Sequence, residues 1–143
     1  MDVVSRKDIE AAASRINGRV RRTPVIQLEE AAFGIDAEIF LKLELFQHTG
    51  SFKPRGAFNR ILSADVPRAG VITASGGNHG QAVAYASKVL GIDAEIFVPE
   101  GSPSLKAERI RRHGAALTVT GQYYDDAMDA CRARALETGA LLV

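Results

Sequence analysis

Hydrophobic positions fall in two different patterns along this chain, and the change comes at Pro67. Beyond it the alternation is regular. A short apolar run at 71–74 and two further short runs at 94–98 and 117–120 have the length and punctuation of strands. Between them, residues 81–90, 102–113 and 123–138 carry helical spacing and are closed by Gly91, Gly114 and Gly139. A last run at 140–143 predicts a fourth strand. Strand and helix alternating through short loops predict an α/β domain: a four-stranded parallel sheet with right-handed crossovers and helices on both faces.

Ahead of Pro67 the signals are more scattered. Ser5 and Asp8 suit a capping box for a helix over 5–17, stopped by Gly18, with Ile9, Ala12, Ala13 and Ile16 on one face. Residues 19–27 form a connector, extended at Thr23-Pro24 because proline disfavours helix in the residue before it. A short helix is expected over 28–33, closed by Gly34. Alternation over 37–44 predicts a strand with Ile39, Leu41 and Leu43 on one side. A helix follows over 52–62, where Pro54 is tolerated because first-turn N–H groups lack intrahelical partners.

Composition narrows the class. The 143 residues are 46% hydrophobic and 24% charged with a net charge of +1, as expected of a globular domain with no attraction to nucleic acid or an anionic membrane. Arg19, Arg21 and Arg22, and Arg109, Arg111 and Arg112, are best read as solvated faces. The single cysteine, Cys131, has no internal disulfide partner and fits a reducing compartment. No signal pattern opens the chain and no apolar run reaches membrane-spanning length, so a cytoplasmic protein is expected.

Two stretches carry candidate chemistry. In Thr49-Gly50-Ser51-Phe52-Lys53-Pro54-Arg55-Gly56, Ser51 is placed to cap the helix that bears Lys53. A cation in the first helical turn is misplaced for stability, and the positive end of the helix dipole favours the neutral, nucleophilic amine. A surface lysine that tolerates its position is the alternative. Arg55 is expected in a structural ion pair and His48 as a polar loop residue. The second stretch is Ser75-Gly76-Gly77-Asn78-His79-Gly80, at the carboxyl end of the first regular strand, where ligands of parallel sheets gather. Its glycines let several N–H groups converge on one anion, a carboxylate or a phosphate. Two alternatives stand: a tight turn without ligand, and a degenerate dinucleotide fingerprint through Ser75, Gly77 and Gly80 with Glu100 as ribose acid. The second lacks the tight-turn glycine.

Both stretches, in this order and some twenty residues apart, resemble the fold-type II pyridoxal-phosphate enzymes, in the branch of threonine/serine dehydratases and serine racemase. The resemblance implies a tryptophan-synthase-β-like fold, of which residues 1–65 would be an N-terminal part of the large domain and residues 66–143 the small domain. It implies pyridoxal 5'-phosphate as cofactor, Lys53 as the lysine forming the internal aldimine, Phe52 bordering the ring, and Asn78 bonding the ring's 3′-oxygen. Ser75, Gly76, Gly77, Asn78 and His79 would hold the carboxylate of a small amino-acid substrate. Water would leave a hydroxy-amino acid by β-elimination, giving a 2-oxo acid and ammonia, with Lys53 as general base. Racemase-like members carry a second serine before Gly-Asn-His; Gly76 stands there in this sequence, so elimination is expected over racemisation. The family's phosphate loop and pyridine-nitrogen residue lie further downstream, so a truncated chain is expected, holding the cofactor weakly or not at all when alone and forming a homo-oligomer when full length. Within the resemblance, serine racemase or hydroxyaspartate dehydratase is the alternative; a nucleotide-binding module and a non-catalytic remnant are the readings of other classes.

Overall fold

The computed structural model describes residues 3–143. Six strands and five α-helices are distributed between a small antiparallel ribbon and a parallel sheet.

The regular half folds as its pattern requires. Strands β3 (Val71–Ala74), β4 (Ala94–Val98), β5 (Ala116–Val119) and β6 (Leu141–Leu142) lie in the order β5-β4-β3-β6, all pairings parallel. The chain steps outward from β3 to β5, then returns past both to place β6 on the far side of β3. That reversal puts the return helix on the opposite face. Helices α3 (Asn78–Leu90) and α4 (Ser104–Arg112) cover one face, where Ala82, Val83 and Ile110 pack on Val71, Ile96 and Val98. Helix α5 (Tyr124–Thr138) covers the other, where Ala127 and Cys131 pack on Ile72, Ala74 and Phe97. The alternation of Val71 and Ile72 between these two cores is the period-2 geometry of a strand buried on both sides.

The irregular half departs from expectation in four places. Helix α1 (Arg6–Arg15) has the Ser5–Asp8 capping box, but Ile9 is 61% exposed and only Ile16 of its apolar face is buried. The connector contains a strand, β1 (Val25–Gln27), paired antiparallel with β2 (Phe40–Lys42), which is shorter than the alternation suggested. The helix expected over 28–33 is absent: Ala31 and Phe33 take left-handed conformations, φ 54° and 59°, and only a 3₁₀ turn forms at Ala32–Gly34. Helix α2 (Lys53–Leu62) is not capped by Ser51. Phe52 occupies the cap position in an already helical conformation, and the Ser51 hydroxyl is buried without a partner.

Although it precedes Pro67, α2 belongs to the α3 face. Ala57, Phe58 and Ile61 are fully buried in the same core as Ala82 and Val83, and Phe58 meets Tyr85 edge to face at 6.0 Å. A buried phenylalanine of this kind contributes about 1.5–3 kcal/mol. Lys53 is thereby fixed, through its helix, to the sheet that carries the glycine loop.

Candidate functional site

Parallel sheets open a crevice where the strand order reverses, at the carboxyl ends of the two strands that part there. Here those strands are β3 and β6. A cleft of about 340 Å³ lies at that point, lined by Phe52, Lys53, Gly56, Ala57, Arg60, His79 and Val143. The two stretches singled out in the sequence therefore meet: the amine of α2 and the imidazole from the first turn of α3 share one concavity.

Each side chain is positioned by local structure. Lys53 is the first residue of α2 and half-buried, its Nζ 5.3 Å from the centroid of the Phe52 ring. His79 stands in the first turn of α3, which begins at Asn78, three residues earlier than the pattern suggested. Its Nε2 donates to the Val143 carbonyl at 3.1 Å, since a carbonyl oxygen only accepts. The Thr73 hydroxyl donates to the same oxygen at 2.7 Å. These two bonds tie the glycine loop to the end of β6.

The loop itself is shaped by close approach. A Cβ on Gly80 would lie 2.0 Å from the Ser75 carbonyl oxygen, so α3 starts against the strand end only with glycine there. The Gly77 N–H is bonded to the Ser75 hydroxyl at 3.3 Å. Gly76 faces a second cleft of about 370 Å³ with Ser102, Lys106, Tyr123 and Tyr124, and a Cβ on Gly76 would stand 3.0 Å from the Ser102 hydroxyl. Asn78 is exposed and is not among the residues lining the Lys53 cleft.

Sequence reasoning missed what holds the Lys53 loop. Arg55 makes a forked pair with Glu44, Nε to Oε2 at 2.8 Å and Nη2 to Oε1 at 2.7 Å, and the Thr23 hydroxyl donates to the same carboxylate at 2.5 Å. Gln47, 2% exposed, grips the backbone of Arg21 through both its amide oxygen and its amide nitrogen at 2.9 Å each. The expected ion pair of Arg55 is thus present, but its partner and the glutamine had no local signal. His48 is not a free loop residue: its ring stacks on Tyr85 at 4.8 Å, and His113 meets Tyr85 edge to face at 5.5 Å. Burial depresses both imidazoles below the usual histidine value, His48 with help from Arg21 and His113 from Lys88. Cys131 lies in the opposite core and burial pushes its thiol up to about 11, which leaves it no role as a nucleophile.

The Glu44 carboxyl is lowered to about 2, chiefly by the hydrogen bonds from Arg55, with Thr23 and Lys42 adding to the effect against a desolvation cost. A carboxyl depressed in the fold contributes stability that is complete above its ordinary value of 4.5 and lost as pH falls toward 2. Acid titration followed by circular dichroism is expected to lose stability across that window, and Glu44→Gln to remove this part of the dependence.

Comparison with known proteins places these observations. The family model described as "Pyridoxal-phosphate dependent enzyme" matches residues 16–143. The chain is 40% identical to the catabolic L-threonine dehydratase TdcB of Staphylococcus aureus, over 99% of its own length and 42% of that protein's. Among solved structures, the T.th. threonine deaminase superposes with TM-score 0.85 at 36% identity, covering 98% of this chain and 44% of the other. Serine racemase from Dictyostelium discoideum superposes equally well, TM-score 0.85 at 36% identity, over 98% and 46%. The chain thus spans less than half the length of each.

Proposed function

Because the chain belongs to the family of pyridoxal-phosphate-dependent enzymes, we propose that it carries the amine and carboxylate-binding parts of a site that deaminates a small hydroxy-amino acid to a 2-oxo acid and ammonia. The observation behind this reading is the cleft shared by Lys53 and His79 at the reversal of strand order. Its chemistry suits the aldehyde end of pyridoxal phosphate: a primary amine, half-buried, beside an aromatic ring. Lys53 would hold the cofactor's aldehyde carbon and Phe52 would border its ring, with Asn78 as the proposed partner of the ring oxygen. When bound, the cofactor supplies an electron sink for charge developing at the substrate's α-carbon.

The remaining roles fall to this chain's own groups. Within the 75–79 loop, the Ser75 N–H is taken by the Phe97 carbonyl and the Gly77 N–H by the Ser75 hydroxyl, so the N–H groups of Gly76, Asn78 and His79, at the N-terminal end of α3, would bind the substrate carboxylate, favoured by the helix dipole. His79, donating to Val143, keeps that turn in place. Lys53 Nζ would take the α-proton. The substrate is a small molecule, the setting cytoplasmic, and the assembled protein a homo-oligomer. Residues 1–65 and 66–143 are the proposed large-domain and small-domain portions. Family membership leaves the dinucleotide reading of Ser75, Gly77, Gly80 and Glu100 without support.

Serine racemase is the second reading, favoured by the Dictyostelium structure. Gly76 argues against it, because the loop offers no side-chain hydroxyl at that position to serve the opposite face of the substrate. With pyridoxal phosphate and L-threonine or L-serine, release of 2-oxo acid is expected to exceed L-to-D conversion by ~10²-fold or more, the scale of one missing acid–base group. Racemisation at a rate rivalling 2-oxo acid release would overturn the dehydratase assignment. Failure of both reactions in a protein that holds pyridoxal phosphate would count against the function as a whole.

A further inference from the structure

We propose that Glu44, Arg55 and Thr23 form a positioning device that turns Lys53 Nζ into the cleft it shares with His79. The proposal rests on the reading of Lys53 as the cofactor-holding amine.

Lys53 and Arg55 are two positions apart on α2, and residues so spaced point to opposite sides of a helix. Arg55 is held from behind. Its guanidinium donates twice to Glu44 and once to the Arg21 carbonyl, at 3.2 Å. Glu44 in turn accepts from Thr23, and Lys42 Nζ donates to the Thr23 carbonyl at 2.6 Å. With one side of the first turn pinned to the 21–24 connector, the other side, carrying Lys53, is left facing the cleft. The side chains of Arg55 and Glu44 are 32% and 17% exposed, shielded enough for a forked pair to hold direction as well as charge.

The pair also closes the loop it spans. Between Glu44 and Arg55 the chain takes a conformation it would not hold alone: Thr49 is left-handed at φ 61°, Gly50 at 73°, and the hydroxyls of Thr49 and Ser51 are buried without partners. Strain and unsatisfied groups of this kind persist only where surrounding contacts over-determine them. Gln47 and the forked pair are those contacts. Since Phe52 enters α2 with no side-chain cap, nothing within the helix start replaces them.

The experiment compares the protein with its Glu44→Gln, Glu44→Asp and Arg55→Lys variants by two readouts. The first is acetylation by acetic anhydride, scored by peptide mass as the rate at Lys53 relative to exposed Lys7 and Lys106. The second is the rate at which borohydride traps pyridoxal phosphate on Lys53. Glu44→Gln and Arg55→Lys are expected to raise the relative acetylation of Lys53 ~3-fold or more and to slow trapping ~10-fold, the scale of a sub-ångström misplacement. Glu44→Asp should recover part of both. Ratios and rates unchanged per folded molecule would overturn the proposal, because a purely structural pair would move only the unfolding midpoint. If Glu44→Gln or Arg55→Lys fails to fold, Thr23→Val is read instead: it keeps the ion pair and loses one partner of Glu44, with ~2-fold changes expected and none overturning the proposal. The acetylation ratio needs no cofactor. A wild-type protein that never captures pyridoxal phosphate therefore removes only the second readout, and the footprint still decides the role of the pair.

Discussion

Replacing Lys53 with alanine is expected to abolish borohydride trapping of pyridoxal phosphate and to lower 2-oxo acid release by ~10³-fold or more. No other amine lines the cleft: its remaining residues are Phe52, Gly56, Ala57, Arg60, His79 and Val143. On the proposed roles, one group would both anchor the cofactor and carry the proton, so its loss removes the whole constellation at once, and such units are grossly non-additive. The same substitution should leave the fold intact or slightly steadier. A cation in the first turn of α2 opposes the helix dipole, and its removal is worth about 0.3–1 kcal/mol. A variant that loses trapping while its urea midpoint holds or rises isolates chemistry from stability; trapping that survives would remove Lys53 from the site.

Gly80→Ala is expected to have the largest effect on the fold of any single methyl group added near the site. The new carbon would lie 2.0 Å from the Ser75 carbonyl oxygen, 3.1 Å from the Ser75 carbonyl carbon and 3.2 Å from Ile96 Cγ2. The first two are backbone atoms at the end of a fully buried strand and cannot swing aside. Relief requires moving the start of α3 away from β3, and with it His79 and the loop N–H groups. Overpacking of this kind costs about 3 kcal/mol or more when the neighbour is backbone. Gly56→Ala is the control: nothing lies within 4 Å of its added carbon, and the gain in helix propensity is up to ~1 kcal/mol. Urea unfolding of the two variants should therefore move in opposite directions.

The contrast between the two halves of the chain explains which elements were legible. Val71–Ala74 is buried on both faces, as are the last three positions of Ala94–Val98, and the runs are bounded by Gly70, Ser75 and Pro99, so length and punctuation mark them as strands. β1 carries no such mark. Its three residues are all exposed and are held by pairing with Phe40–Lys42, a partner that local sequence does not announce. The failed helix over 28–33 had suitable residues, but its centre is interrupted by two left-handed positions that neither alanine nor phenylalanine advertises. At the site, Lys53 and the glycine loop were visible because their chemistry is written in residue type. Glu44, Thr23 and Gln47 were not, because a carboxylate 11 residues from its arginine has meaning only once the loop between them is folded. The same holds for Tyr85 between His48 and His113, which come from separate elements.

The burial of Phe58 and Ile61 among the side chains of α3 has a mechanical consequence. Amine and imidazole ride on one block, set by contacts that do not yield without unfolding. The first turns that carry Lys53 and His79 keep their separation through the core behind them, and only the side chains beyond those turns are left for contacts outside that core to aim.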